Sequence, residues 1–91
     1  VPNPFMASTE IPLSLSADAI VDVAILDESG RVVARPIHNE RLAAGESSVA
    51  IDAQKLGLAS GSYAVRVSAI DPLTGALLWR PEKPLMLSIL R

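Results

Sequence analysis

The residues able to carry catalytic chemistry are few in this chain of 91 residues. It contains one histidine, His38, and no cysteine. An imidazole acts as a general base only beside a positioned nucleophile, and no serine motif fixes a partner for His38. The stretch Gly57-Leu58-Ala59-Ser60-Gly61 differs from the Gly-x-Ser-x-Gly nucleophile elbow, because its serine stands one place late and a strand pattern follows. We therefore interpret His38 as a solvated loop residue and Ser60 as a turn residue, and predict no enzymatic activity.

Metal ions and cofactors find equally little support. Asp27 and Glu28 are adjacent carboxylates, but no Asp-rich loop adds the roughly six to eight oxygen ligands that calcium takes. The five glycines form no phosphate-binding pattern. Gly30, Gly45 and Gly61 each stand where a strand pattern turns, which explains them without a ligand. We expect no metal and no cofactor.

Composition narrows the function further. Hydrophobic residues make up 49% of the chain and charged residues 20%, with a net charge of -2, which disfavours disorder. Eight basic residues stand against ten acidic ones without a basic cluster, which makes nucleic acid an unexpected partner. No apolar run approaches the roughly 20 residues that a membrane-spanning helix needs.

Apolar residues alternate with polar ones in several short segments, which is the period of a half-buried strand. Pro12 marks the first of them as an edge strand, whereas the β-branched stretch from Ala19 to Asp27 is typical of a central strand. We predict a polar connection between Pro36 and Gly45 and one helical turn from Ala53 to Leu58. Pro81 and Pro84 are expected to interrupt the return strand, which ends in residues 85–90. The predicted strands are 10–16, 19–27, 31–37, 48–52, 62–70, 76–80 and 85–90.

Strands at this spacing with Gly and Pro between them predict an all-β fold, an immunoglobulin-like (fibronectin III-like) antiparallel β-sandwich of about seven strands. We expect residues 1–9 to be a linker or lead-in and residues 10–91 to form the one domain. Tyr63, which follows Ser60-Gly61 at the start of a strand pattern, resembles the tyrosine corner of such sandwiches. A Tyr that is merely packed is the alternative.

An ordered set of short motifs runs along most of the chain. Its members are Pro2-Asn3-Pro4-Phe5, then Gly30-Arg31, then Gly45, then Ser60-Gly61 with Tyr63. In this order and spacing they resemble the C-terminal sorting domain of type IX secretion cargo, and also the related immunoglobulin-like domain of the flagellar hook-cap protein. A longer hairpin, from Asp71 to Pro84, is inserted here relative to that pattern.

The resemblance implies a non-catalytic module of a secreted or cell-surface protein of a Gram-negative bacterium, read by secretion or assembly machinery. We expect protein partners to contact the final strand or the edge strand near Ile11, because strand edges offer unpaired backbone groups. A structural or assembly domain is the alternative, and a carbohydrate-binding module using Trp79 is a weaker one. The side chains expected to contact a partner are Trp79, Lys83, Leu85, Leu87 and Ile89.

Overall fold

The computed structural model describes residues 3–5, 8–81, 83 and 85–90, and within them it has eight strands and one short helix. The predicted all-β class is confirmed, and the helical turn predicted to begin at Ala53 is present. The elements are β1 (Asn3–Phe5), β2 (Ser8–Leu15), β3 (Ala19–Leu26), β4 (Val32–Leu42), β5 (Gly45–Asp52), α1 (Ala53–Leu56), β6 (Gly61–Ile70), β7 (Leu77–Trp79) and β8 (Leu85–Ile89).

The strands form a two-layer sandwich. One sheet has the order β1-β8-β6-β3-β4, with β7 also paired to β6, and the other consists of β2 and β5. Every pairing is antiparallel except that of β1 with β8. In immunoglobulin-type domains strands B and E share one sheet and strands C, F and G the other. Here β2 and β5 occupy the B and E places, and β3, β6 and β8 those of C, F and G. The predicted sandwich is therefore confirmed.

The core lies between the two sheets and is almost entirely aliphatic. Alternate residues of β2, β3, β5, β6 and β8 face inward, as the period-two pattern predicts, so each of these strands contributes one of its two faces. Val21, Val23 and Ile25 of the central strand β3 are fully buried. The other main core residues are Ile11, Leu13, Leu15, Val49, Ile51, Leu58, Tyr63, Val65, Val67, Ala69, Leu87 and Ile89.

β7 and β8 are two halves of one interrupted strand. Both run antiparallel to β6, with Trp79 opposite Ala69 and Leu85 opposite Val65. Five residues, 80–84, separate the two halves, whereas only three, 66–68, separate their partners on β6. The interruption carries the two prolines predicted to break this strand, since proline lacks the N–H that a ladder needs. The seven predicted strands already count β7 and β8 separately, as residues 76–80 and 85–90, and the additional strand in the structure is β1.

The turn from β3 to β4 has the predicted hairpin chemistry. The amide of Asp27 donates to the carbonyl of Arg31 at 2.9 Å, and the amide of Gly30 donates to the carbonyl of Asp27 at 3.0 Å. Gly30 has φ +88, a conformation that side chains with a Cβ rarely adopt. The glycine is therefore required by the backbone of the turn and not by a ligand.

Two predictions about local structure were wrong. The polar connection predicted between Pro36 and Gly45 is mostly strand, because β4 continues to Leu42. The pairing of β4 with β3 is irregular, and Asn39 has φ 52. These irregularities disturb the alternation of apolar and polar residues from which a strand is predicted. The lead-in predicted for residues 1–9 contains β1 and the start of β2. A strand with Pro4 is possible there because β1 lies at the edge of its sheet, where a missing donor is tolerated.

Candidate functional site

The histidine that could have carried chemistry belongs to an ion-pair cluster on the sheet surface. His38 lies in β4, not in a loop, and its Nδ1 is 3.2 Å from Oδ1 of Asp22. Nη1 of Arg35 donates to both oxygens of the same carboxylate, at 3.0 and 2.8 Å. The His38 side chain is 64% exposed, in agreement with its interpretation as solvated. Within the part of the chain that the structure describes, no hydroxyl is hydrogen-bonded to this imidazole.

Ser60, Gly61 and Tyr63 form a structural corner. Ser60 lies in the bend that precedes β6, as its interpretation as a turn residue requires. The Tyr63 hydroxyl donates to the carbonyl of Ala59 at 2.7 Å while its ring is buried in the core. This backward bond at the start of the strand in the F position is the tyrosine corner predicted from the sequence. The three residues hold the entrance of β6 in place.

The other motif residues lie at separate places in the sandwich. Pro2 is outside the described residues, and Asn3, Pro4 and Phe5 form β1 beside β8. Nε of Arg31 donates to Oδ2 of Asp27 at 3.2 Å within the β3–β4 turn. Gly45 begins β5. The structure therefore does not gather the motif residues into one site, and those with described contacts serve the turns.

The β3–β4 turn also shifts the pKa of the Asp27 carboxyl group. The Ser29 hydroxyl donates to Oδ1 of Asp27 at 2.6 Å, and the amides of Ser29 and Arg31 donate to the same oxygen. These bonds, led by the Ser29 hydroxyl, lower the pKa of Asp27 from 3.8 to about 2. The carboxylate is committed to stabilising the turn.

Among the side chains predicted to contact a partner, some are accessible and some are not. Trp79 and Leu85 are 43% and 41% exposed, and Lys83 is exposed. Leu87 and Ile89 are buried, with exposed fractions of 4% and 1%, because they occupy the core-facing positions of β8. Their side chains are therefore parts of the core and not of a contact surface.

The final strand is also not a free edge, contrary to the expectation that a partner extends it. β8 pairs with β6 on one side, through residues 85–89, and with β1 on the other, through residues 87–89. The first strand along the chain thus covers the last one. β2, the strand near Ile11, pairs only with β5, so its second edge is open, as predicted from Pro12.

Large exposed apolar side chains are concentrated near the end of the chain. All seven that the described residues expose come after Asp71. We call them together the C-terminal apolar surface: Leu73, Leu77, Leu78, Trp79, Leu85, Met86 and Leu90. They are spread along β6, because Leu77 lies opposite Ile70 and Leu85 opposite Val65, and Leu90 follows Ile89, which lies opposite Gly61. They therefore form several separate contact points and not one patch.

Sequence reasoning named Trp79 and Leu85 as contact residues and included Met86 and Leu90 through the final strand, but it missed Leu73, Leu77 and Leu78. The signal was present in the run Leu77-Leu78-Trp79, whose three residues are all apolar and so cannot all face one side of a strand. All three are exposed, because β7 pairs with the last residues of β6, close to one end of the sandwich. Trp79 lies there beside Leu15 and Ala19.

The residues that the structure describes hold neither a cluster of three potential metal ligands nor a helix of the length and apolarity needed to cross a membrane. No curated protein and no solved structure matches the chain. A family model described as the secretion system C-terminal sorting domain matches residues 1–73, which covers β1 to β6 and the turn that follows. The sandwich, its turn motifs and this match agree, and the chain belongs to the family of secretion system C-terminal sorting domains, the sorting signals of type IX secretion.

Proposed function

We propose that the folded sandwich is both the sorting signal and the cell-surface attachment signal of a bacterial protein, and that it carries out no chemistry itself. Membership of the sorting-domain family supports export by the type IX route. A domain that is recognised needs a surface for its partner and not a catalytic cleft. The exposed side chains of the C-terminal apolar surface offer contact points for such a partner. The family match is the observation that carries the proposal.

The position of that surface supports recognition by protein machinery. Trp79 is an aromatic anchor of the kind enriched at protein interfaces, Leu78 beside it is exposed, and Met86 adds a flexible exposed side chain further along β6. Their exposure leaves the core intact, because the core-facing residues of β8 are separate from them. A partner can therefore bind this surface without unfolding the domain.

Sugar binding is less well supported by the same surface. Carbohydrate sites usually stack sugars on several exposed rings. Trp79 is exposed, whereas Tyr63 is buried and bonded to Ala59. A single exposed ring among the side chains that the structure describes favours a protein contact.

The test is an export assay. Residues 1–91 are fused to the end of a reporter and expressed in a bacterium with type IX machinery. We expect the fusion to reach the cell surface or the medium. Retention in the periplasm would falsify the proposal.

A second pair of variants tests the recognition surface. Replacing Leu78 and Met86 by Ser removes exposed apolar area, and replacing Ser47 and Ser48 of β5 by Ala is the matched change on the opposite sheet. We expect periplasmic accumulation for the first variant only, with the unfolding midpoints of both close to that of the original chain. Equal export of the two variants would exclude the C-terminal apolar surface as the recognised element.

A further inference from the structure

The break between β7 and β8 creates a groove on the outer face of the larger sheet. Its volume is about 270 Å³, and its apolar lining includes Leu26, Ala64 and Pro81. Leu26 and Ala64 are directly opposite each other in the β3–β6 pairing and belong to the face of the sheet turned away from the core. The volume is below the roughly 300 to 1,000 Å³ of small-molecule sites. It suits one apolar side chain.

The pairing of β6 also changes at this break. Residues 66–68 pair with β3 on one side, but on the side between β7 and β8 no described residue is in register with them. Backbone groups of an unpaired stretch can pair with an extended peptide. The groove therefore lies beside a stretch of β6 that no described residue pairs on this side.

Two arginines line this groove, Arg66 of β6 and Arg80 of the segment after β7, and both are exposed. The other three arginines that the structure describes, Arg31, Arg35 and Arg41, each form an ion pair with an aspartate. Arg66 and Arg80 have neither an ion pair nor a side-chain hydrogen bond within the described ranges. The guanidinium groups without a described partner thus flank the apolar groove.

We propose that this groove binds an extended acidic peptide segment of a protein partner, with an apolar side chain in the groove and carboxylates on Arg66 and Arg80. The charge of the two arginines favours a negative partner, and a guanidinium binds the planar carboxylate in a bidentate manner. In an extended peptide the side chains at positions i and i+2 lie on one face, roughly 7 Å apart. The matching pattern is therefore acidic, any residue, apolar, any residue, acidic.

This inference rests on the proposed function in one respect: it takes the partner to be a protein met during export. It is otherwise independent, since Arg80 and Pro81 lie beyond the residues 1–73 that the family match covers. Two of the residues that line the groove therefore come from the part of the chain outside the match, and the others come from the matched part. It is a contact site separate from the C-terminal apolar surface, with a defined peptide chemistry.

The experiment measures binding of a fluorescein-labelled peptide, Ser-Glu-Ser-Leu-Ser-Glu-Ser, to the purified 91-residue chain by fluorescence anisotropy. We expect saturable binding that weakens roughly tenfold when both Glu are replaced by Gln, because charge-assisted hydrogen bonds are lost. Replacing the Leu by Ser is expected to weaken it by a similar factor. Equal binding of the three peptides, or no binding, would overturn the proposal.

Variants of the protein locate the site. Arg66→Gln and Arg80→Gln are expected to weaken binding of the acidic peptide roughly tenfold each and to leave the Gln peptide unaffected. Arg31→Gln is the matched control, because this exposed arginine lies in the β3–β4 turn. Equal loss in all three variants would show nonspecific attraction and overturn the proposal. Tighter binding to vesicles of phosphatidylglycerol than to the peptide would do so as well.

The groove and the proposed function fail in different assays. If the Arg66→Gln, Arg80→Gln fusion is exported and the purified chain binds the peptides without selectivity, the groove proposal is wrong and the sorting role stands. A wild-type fusion retained in the periplasm while peptide binding remains selective would remove the sorting role and keep the groove.

Discussion

The hydroxyl of Tyr63 donates a 2.7 Å hydrogen bond to the carbonyl oxygen of Ala59, four residues before it. The bond ties the segment between α1 and β6 to a ring that is buried in the core. It joins a local turn to the long-range packing of the two sheets. Its position makes it a sensitive point of the fold.

Removing this bond tests its contribution to stability. Tyr63→Phe keeps the ring and deletes the hydroxyl, and we expect it to lower the free energy of unfolding by about 1 kcal/mol. Urea unfolding measures the change, and Ser62→Ala at the adjacent exposed position is the control, expected to stay within about 0.5 kcal/mol. An unchanged midpoint for Tyr63→Phe would contradict a stabilising corner.

The lowered pKa of Asp27 predicts a specific dependence of stability on pH. Its pKa is about 2 in the folded chain, against an ordinary value of 3.8, mainly because the Ser29 hydroxyl donates to it. A group with a depressed folded pKa contributes stability that is fully present above the unfolded value and is lost as pH falls through the folded value. The contribution should therefore fade between pH of about 4 and about 2.

Asp27→Asn removes the charge but retains the shape of the side chain. We expect this variant to unfold at a lower temperature than the original chain at pH 6, and the difference to shrink as pH falls below about 4. Thermal unfolding followed by circular dichroism at several pH values measures it. Glu28→Gln in the same turn is the control, since Glu28 has no hydrogen bond or ion pair with any described residue. A difference that is constant from pH 6 to pH 2 would refute this role of Asp27.

The parts of the fold that sequence could predict are those fixed by local pattern. Alternation along residues 11–15 and 63–69 identified the inward-facing side chains, because a regular strand turns every second residue to the core. The same logic failed around His38. The pairing between β3 and β4 is irregular there, so the position of a residue in the sequence no longer tells which face of the sheet its side chain is on. The candidate groove could not be predicted from the sequence for a related reason. It depends on the offset between β7, β8 and β6, and that offset is a property of pairing between distant residues.

Asn39 offers a direct test of the irregular strand. Its φ of 52 lies in the left-handed region, where glycine is unstrained and a residue with a Cβ is not. We expect Asn39→Gly to be more stable than Asn39→Ala by about 1 kcal/mol in urea unfolding. At Glu40, the next residue of the strand, the order should reverse, with the Ala variant more stable by about 0.5 to 1 kcal/mol. The same order at both positions would contradict the backbone geometry of β4.

Two neighbouring residues of β8 belong to different parts of the molecule, one to the core and one to the C-terminal apolar surface. Leu87 is 4% exposed and packs in the core, whereas Met86 is 62% exposed. We expect Leu87→Ala to lower the free energy of unfolding by about 2 to 5 kcal/mol, because it leaves a cavity between the sheets. Met86→Ala should change it by less than about 0.5 kcal/mol, since its side chain is largely in water. The two effects are read from urea unfolding of the 91-residue chain, and similar losses for both would mean that β8 does not alternate between core and solvent.

Measured on the exported fusion, Met86→Ala should instead reduce export, because it removes part of the C-terminal apolar surface while the sandwich remains folded.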